Sequence, residues 1–249
     1  MSLSTPQVIL ITGASGGIGR ACAVALSKAY PECVLVLSGR REDALLATAE
    51  LCGKTEIAVG DVSKDDDVAA MFEMVRSKYG RLDVLFNNAG VDLLPSTPLE
   101  EADMSTFRRA LDINIMGAVL CTAHAIKLMQ SSGGRIINNG SISSTSPRPD
   151  SAAYTISKHA ILGLSRSTSL DGRKYGIKCT QLDIGNAATD MIAHAAKGCR
   201  QPDGSLRPEP MMRVQNVADT VVFLAGIGSE ADVQRMEILA AGMPFVGRG

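Results

Sequence analysis

The sequence predicts a doubly wound α/β fold: one parallel sheet with helices packed on both faces. Short apolar runs alternate with helix-period segments along the chain, the pattern of successive βα units. A glycine-rich stretch, Thr12-Gly13-Ala14-Ser15-Gly16-Gly17-Ile18-Gly19, follows the first apolar run and opens the first helical pattern. Residues with chemistry to offer (Thr12, Gly39, Asp61, Asn87, Ser141 and Asp183) fall at or just beyond the ends of the runs. In a sheet wound by right-handed crossovers, those ends border the ligand crevice.

In chain order, Val8-Ile9-Leu10-Ile11 anchors a strand over 7–12, and the turn after it leads into a helix over 17–29. Gly13 permits the tight turn, Gly17 lets the backbone approach a pyrophosphate, and Gly19 lets helix pack on strand. The helix N-terminus adds amide donors and a favourable dipole for an anion. Val34-Leu35-Val36-Leu37 marks a strand over 33–38, followed by a helix over 42–52, a strand over 55–59 and a helix over 65–79. Strands over 82–86, 134–139, 177–183 and 235–240 alternate with helices over 103–131, 152–174 and 214–226. No repeat, heptad array or second composition interrupts this order, so residues 1–249 are expected to form one domain. Residues 198–213 have turn composition and read as a surface excursion or as part of a lid over 190–213.

With 25 basic and 26 acidic residues the formal charge is −1, which gives no global reason to expect nucleic acid or a membrane surface as partner. The first strand begins too early for a signal peptide to precede it, and no apolar run suggests a membrane helix. Cysteines 22, 33, 52, 121, 179 and 199 form no CxxC pair or metal-type cluster, so reduced thiols, no bound metal and a cytoplasmic location are expected.

Tyr154 and Lys158 are four positions apart, with Ser141 thirteen before the tyrosine. On a helix the i, i+4 spacing puts ammonium and phenol on one face, where the cation favours the ionised phenol. A phenol of free pKa about 10 could then exchange protons near neutral pH. By itself this spacing also occurs on solvated helix faces.

Together with Asn87-Asn88-Ala89-Gly90 and Leu111-Asp112-Ile113-Asn114, these motifs resemble the short-chain dehydrogenase/reductase family over nearly the whole chain. The resemblance implies a Rossmann-like sheet, a nicotinamide cofactor, and Asn114, Ser141, Tyr154 and Lys158 as the catalytic set. Asn114 would hold a water linking the lysine to solvent. It also implies a homodimer or homotetramer packed through the helices over 103–131 and 152–174.

On the cofactor side the resemblance brings in Gly13, Ser15, Gly17, Ile18, Gly19, Asn88, Ala89 and Gly90, with Tyr154 and Lys158 also reaching the cofactor. Asp61 and Val62 match an adenine-contacting pair, although Asp61 could equally cap the following helix. Gly39 stands where an NAD-binding chain usually has a carboxylate, and Arg40 follows it. A 2′-phosphate would meet no repulsion and one bidentate partner, which points to NADP, with NAD possible. A solvated Arg40-Arg41 pair is the plain alternative. Two departures stand out. Ile184 replaces the usual proline before Gly185, with Thr189 still matching, and Gly140 stands where a serine often precedes the catalytic one. Gly140 either frees space beside the reacting centre or relieves a tight backbone.

Substrate-side candidates are Leu93, Ser143 and Met191, with Leu94, Arg148, His194, Met211 and Met212 as weaker ones. Arg148, between two prolines, is expected to face solvent. The expected activity is an NADP-dependent interconversion of a carbonyl compound and an alcohol, with Tyr154 as general acid/base. The alternatives are an NAD-linked alcohol dehydrogenase and a catalytically silent NAD(P)-binding or sensing protein.

Overall fold

The computed structural model describes residues 6–189, 191 and 198–245. In chain order it contains β1 (Val8–Thr12), α1 (Gly17–Ala29), β2 (Val34–Gly39), α2 (Glu42–Ala49), β3 (Thr55–Val59), α3 (Asp65–Tyr79) and β4 (Val84–Asn87). These are followed by α4 (Met104–Leu111), α5 (Gly117–Met129), β5 (Gly134–Asn139), α6 (Ala152–Gly172) and β6 (Ile177–Ile184). The short strands β7 (Cys199–Arg200) and β8 (Leu206–Arg207), α7 (Val214–Ala225) and β9 (Arg235–Ile238) complete the described chain.

Seven strands form one sheet in the order β3-β2-β1-β4-β5-β6-β9, and every pairing in it is parallel. The strands are β-branched and leucine-rich because both faces are covered; β1 is buried along its whole length. One apolar cluster joins α1 and α7 to the sheet through Cys22, Leu26, Val217, Val221 and Leu224. The other joins α3 and α5 through Val68, Phe72, Val75, Cys121 and Ala125. Strand order reverses beside β1, whose neighbours are β2 and β4, so a crevice opens above the carboxyl ends of those strands.

The helix expected over 103–131 is divided. α4 passes into one π-helical segment, Asp112–Met116, before α5 begins. Asn114 in that segment is tied to Val91, and a Cβ on Gly117 would come within 2.7 Å of Val62, so tertiary contacts set the wider turn. By length and composition the continuous stretch Met104–Met129 could cross a membrane, at mean hydropathy 1.3. Its inner residues Ile113, Cys121, Ala125 and Met129 belong to the core, and Arg108, Arg109, Asp112 and Lys127 are exposed. This is the stripe of a helix packed on a sheet.

Candidate active site

The crevice begins at the glycine-rich turn. Gly13 and Gly17 have φ of +68° and +50°, which side chains adopt at a cost, and a Cβ on Gly13 would press to 3.0 Å from the Ala89 backbone. The β1 and β4 ends are laced together: Thr12 Oγ1 accepts from the Asn88 and Ala89 amides at 2.9 and 3.0 Å, and the Asn88 side chain donates to the Thr12 carbonyl at 2.9 Å. Asn139 Nδ2 donates to Asn88 Oδ1 at 2.8 Å, extending the lacing to β5. Gly19 packs the start of α1 against the end of β1, as its spacing predicts. A Cβ there would sit 2.2 Å from the Gly13 carbonyl oxygen, so Gly19 lies buried beneath the turn and supports it without lining the crevice.

Above these ends lies a cavity of about 380 Å³. Gly13, Ser15, Gly17 and Ile18 form its wall at the turn, and Gly39, Arg40, Asp61 and Val62 its wall at the β2 and β3 ends. Asn88, Ala89, Gly90 and Asn114 face it from β4 and the π segment, while Tyr154, Lys158, Ile184, Gly185 and Thr189 close the far side. No side chain caps α1 and no acidic residue stands in its first turn, so its amide end is suited to an anion. The residues present fit a pyrophosphate: Gly13 and Gly17 take the positive φ that the turn requires, and the α1 amides behind it are uncapped.

At the β2 end of the cavity, a Cβ on Gly39 would lie 3.4 Å from Ser15 Oγ. Arg41, named from the sequence only in the alternative of a solvated Arg40-Arg41 pair, also lines the cavity and donates to Ser15 Oγ at 3.4 Å. The adjacent arginines were the available signal. Asp61 does not cap α3; its Oδ1 accepts from the Ser63 amide and hydroxyl at 3.0 and 2.7 Å. Burial opposes ionisation of Asp61, yet those bonds and the Arg40 charge leave its carboxyl below the usual value.

A second cavity, of about 100 Å³, adjoins the first. Tyr154 lines both; Ser141 lines the smaller, and Lys158 and Asn114 the larger. Lys158 Nζ donates to the Asn139 carbonyl at 2.7 Å and lies 5.5 Å from the Tyr154 ring centre. Burial pulls its pKa down to about 8 against the pull of Asp183. Burial raises the Tyr154 phenol, the Ser141 hydroxyl opposes that rise, Asp92 adds to it and Arg148 opposes it. Lys158 therefore sits beside the phenol. Asn114 does not satisfy its own helix: its amide is exchanged with Val91 N and O at 2.8 Å each, and its Nδ2 donates to Ser157 Oγ at 3.3 Å.

Ile184, in place of proline, pairs in register with Ile238 at the end of β6, and the Gly185 amide donates to the Ile238 carbonyl at 2.8 Å. The sheet thus holds the turn that a proline ring would have stiffened. On the substrate side, Ser143 and Met191 line the smaller cavity, but Leu93 and Leu94 line neither. Their segment, pinned at Val91 by Asn114 and at Thr97 by the Asp150 carbonyl, contributes Asp92 and Ser96 instead. Arg148 is not a solvent-facing residue. It donates to Asn186 Oδ1 at 2.9 Å and pairs with the buried carboxylate of Glu209. Arg200, from β7, lines the cavity and pairs with Asp150 at 2.8 Å. Met212 is buried, bridged to Ala187, and Met211 is exposed; neither lines either of the two cavities. His194 and residues 190 and 192–197 of the expected lid lie outside the described residues.

A family model for the short chain dehydrogenases matches residues 7–199. The chain belongs to the short-chain dehydrogenase/reductase family. It is 38% identical over 180 residues to a 3beta-hydroxysteroid dehydrogenase of Mediterraneibacter gnavus, covering 71% of this chain and 64% of that relative, just under two thirds of its length. It is 32% identical over 228 residues to the cis-4-hydroxycyclohexanecarboxylate dehydrogenase of Sinomonas cyclohexanicum, covering 88% and 89% of the two chains. Among solved structures, a short-chain type dehydrogenase/reductase from Mycobacterium marinum superposes with a TM-score of 0.83 at 25% identity, covering 97% of this chain and 96% of that one. An alcohol dehydrogenase from Thermococcus sibiricus, solved with 5-hydroxy-NADP, shares the fold at a TM-score of 0.82 and 24% identity, over 95% and 97% of the chains. The chain therefore belongs to a family of oxidoreductases that bind nicotinamide cofactors.

Proposed function

We propose that this protein interconverts a carbonyl compound and an alcohol with NADP as its cofactor, Tyr154 acting as general acid/base. The observation that carries the reading is the position of Tyr154 at the junction of the two cavities, flanked by Ser141 on the smaller and Lys158 on the larger. NADPH, when bound, supplies the hydride. The turn over Gly13, Ser15, Gly17 and Ile18 would hold the pyrophosphate, Arg40 and Arg41 the 2′-phosphate, and Thr189 with Gly185 the nicotinamide end. In reduction, the Tyr154 hydroxyl gives its proton to the substrate oxygen while the Ser141 hydroxyl steadies that oxygen. Lys158 binds the nicotinamide ribose and favours the ionised phenol once proton transfer occurs; Asn114 keeps the proton path beside it ordered.

The smaller cavity is walled by Ser143, Asn186, Arg148, Arg200 and Asp92 as well as apolar groups. This favours a compact carbonyl compound with a polar or anionic substituent over an extended apolar one. Described residues of the 190–213 lid, Met191, Cys199 and Arg200, contribute to that wall. Exposed Met104, Met116, Ile156 and Leu170 lie on the helices expected to pack between subunits, in keeping with a homo-oligomer. All six cysteines are free, in keeping with a cytoplasmic protein. NADPH oxidation measured against a panel of ketones and aldehydes tests the reading. Turnover with at least one carbonyl class is expected; cofactor binding with no turnover on any of them would instead favour a silent nucleotide-binding protein. An NADH preference in that assay would favour the NAD-linked alternative.

A further inference from the structure

A sequence departure and a buried carboxylate meet directly beneath Ser141. Asp183, near the end of β6, is 0% exposed. Its Oδ1 accepts from the Ser141 backbone amide at 2.9 Å, the Ser144 hydroxyl at 3.1 Å and the Gln181 side-chain amide at 2.8 Å. Its Oδ2 accepts from Arg235 Nε at 2.7 Å, on the edge strand β9. Gly140 makes room for this carboxylate: a Cβ there would lie 2.3 Å from Asp183 Oδ1 and 2.9 Å from Gln181 Nε2. The polar row continues inward, with Ser165 Oγ 3.2 Å from Gln181 Oε1, Asn138 donating to Ser165 at 2.9 Å, and Asn87 donating to Asn138 at 3.2 Å. It crosses β9, β6, β5 and β4 under the catalytic ends of the strands.

Removing a carboxylate from water is costly, and an apolar residue would fill the site at less cost in stability. The arrangement gives Ser141 a fixed anchor in return, since a charged acceptor holds a backbone amide more tightly than a neutral one does. We infer that Asp183, accommodated by Gly140 and fixed by Arg235, is a positioning residue that locks the Ser141 turn and so the hydroxyl meeting the substrate oxygen. The inference rests on the roles proposed above for Ser141 and Tyr154. Its charge also faces Tyr154 and Lys158 and favours the protonated form of both. The other charged groups acting on Tyr154 are Asp92, in the same direction, and Arg148, in the opposite one; Arg235 is shared with Glu237. Loss of the Asp183 charge makes the phenol easier to deprotonate. Alcohol oxidation, which needs the phenolate, should then begin at lower pH.

Three substitutions test this. Asp183→Ala should lower kcat by about tenfold or more, the scale of one lost hydrogen bond to a charged group, while the NADPH dissociation constant stays within about twofold. The split is expected because Asp183 does not line the cofactor cavity. Asp183→Asn, which keeps the shape, should move the rising limb of kcat/KM for alcohol oxidation to lower pH by about half a unit. Gly140→Ala should lower the melting temperature strongly in the parent and far less in the Asp183→Ala background. If Asp183→Ala does not fold, the Asp183→Asn profile decides the matter. An unmoved pH profile with unchanged kcat, in a protein that Tyr154→Phe still inactivates, overturns the inference. Additive melting losses for Gly140→Ala and Asp183→Ala overturn it also. Should Tyr154→Phe remain active, the catalytic reading is what fails, and the melting coupling still reports whether the carboxylate anchors the turn.

Discussion

The two cavities that meet at Tyr154 are built differently. Around the larger one, the wall is set by neighbours in sequence: the turn from Gly13 to Ile18, the pair at Gly39 and Arg40, and the run from Asn88 to Gly90. Around the smaller one, the wall is set by pairs far apart in the chain, Arg148 with Glu209, Ser141 with Asp183, and Arg200 with Asp150. Backbone shape defines a site for a cofactor that does not vary, whereas side chains drawn from several loops define one that can be retuned by substitution. Changes on the first side should act through cofactor affinity. Those on the second should act through turnover or substrate KM.

Tyr154 belongs to both sides, so its removal should have the largest effect. Tyr154→Phe keeps the ring and loses the proton, and turnover should fall by on the order of a hundredfold or more with NADPH binding nearly intact. Single-turnover kinetics check this, and near-normal chemistry would break the assignment. Next comes Lys158→Met, which leaves the Asn139 carbonyl without its 2.7 Å donor and removes the charge beside the phenol. Rate and NADPH affinity should each fall by roughly tenfold or more, since the same group serves both. Isothermal titration that finds unchanged affinity would confine Lys158 to the chemical step.

The third effect lies wholly on the cofactor side. Arg40→Ala should weaken NADPH binding by roughly one to two powers of ten, the equivalent of about 1.5–3 kcal/mol for a hydrogen bond to a charged group. NADH, with no 2′-phosphate, should be affected far less. Gly39→Asp should work in the same direction by repelling the phosphate and accepting from free ribose hydroxyls. Arg41→Ala sharpens the comparison, because Arg41 also lines the cavity and contacts Ser15. If Arg41→Ala shifts the ratio of kcat/KM for NADPH and NADH while Arg40→Ala leaves it unchanged, the phosphate contact belongs to the second arginine.

The contrast between the cavities also explains which parts of the site were legible in sequence. The alternation of strands and helices and the glycine turn were legible because periodicity and φ > 0 requirements are local properties. Spacing marks Gly19 as the residue that lets helix pack on strand, and its Cβ direction, at the Gly13 carbonyl, agrees; spacing alone does not show that it stands clear of the cavity wall. The π segment was invisible because the apolar pattern over 103–131 is continuous, and Asn114 meets Val91 only in the folded chain. Arg148, between two prolines, reads as solvent-facing because its acidic partner stands 61 residues further on. Asp183 was visible as a strand end but not as an anchor, since its partners come from the Ser141 loop, β6 and β9.

The smallest expected effect tests the long-range side alone. Glu209 accepts from Arg148, from Asn186 Nδ2 at 2.8 Å and from Gln201 Nε2 at 3.1 Å, and so ties residues 198–213 to the loop between Ser141 and Tyr154. Glu209→Gln keeps the shape but neutralises the carboxylate, and Arg148 is part-exposed, so solvent should recover some of the loss. A cost of about 1–2 kcal/mol is expected for the local closed state. Opening of 198–213 should then become more frequent, and its amide hydrogen exchange faster, while the strand around Val84 exchanges as before. Substrate KM should rise by roughly five- to tenfold and NADPH affinity should hold. In the parent, NADPH with a substrate analogue should slow the same exchange, as expected of a cover that closes over the smaller cavity. Exchange indifferent both to ligands and to Glu209→Gln would reduce 198–213 to an ordinary surface excursion. The polar wall of the substrate side would then owe its shape to Arg148 and Asn186 without help from the segment beyond them.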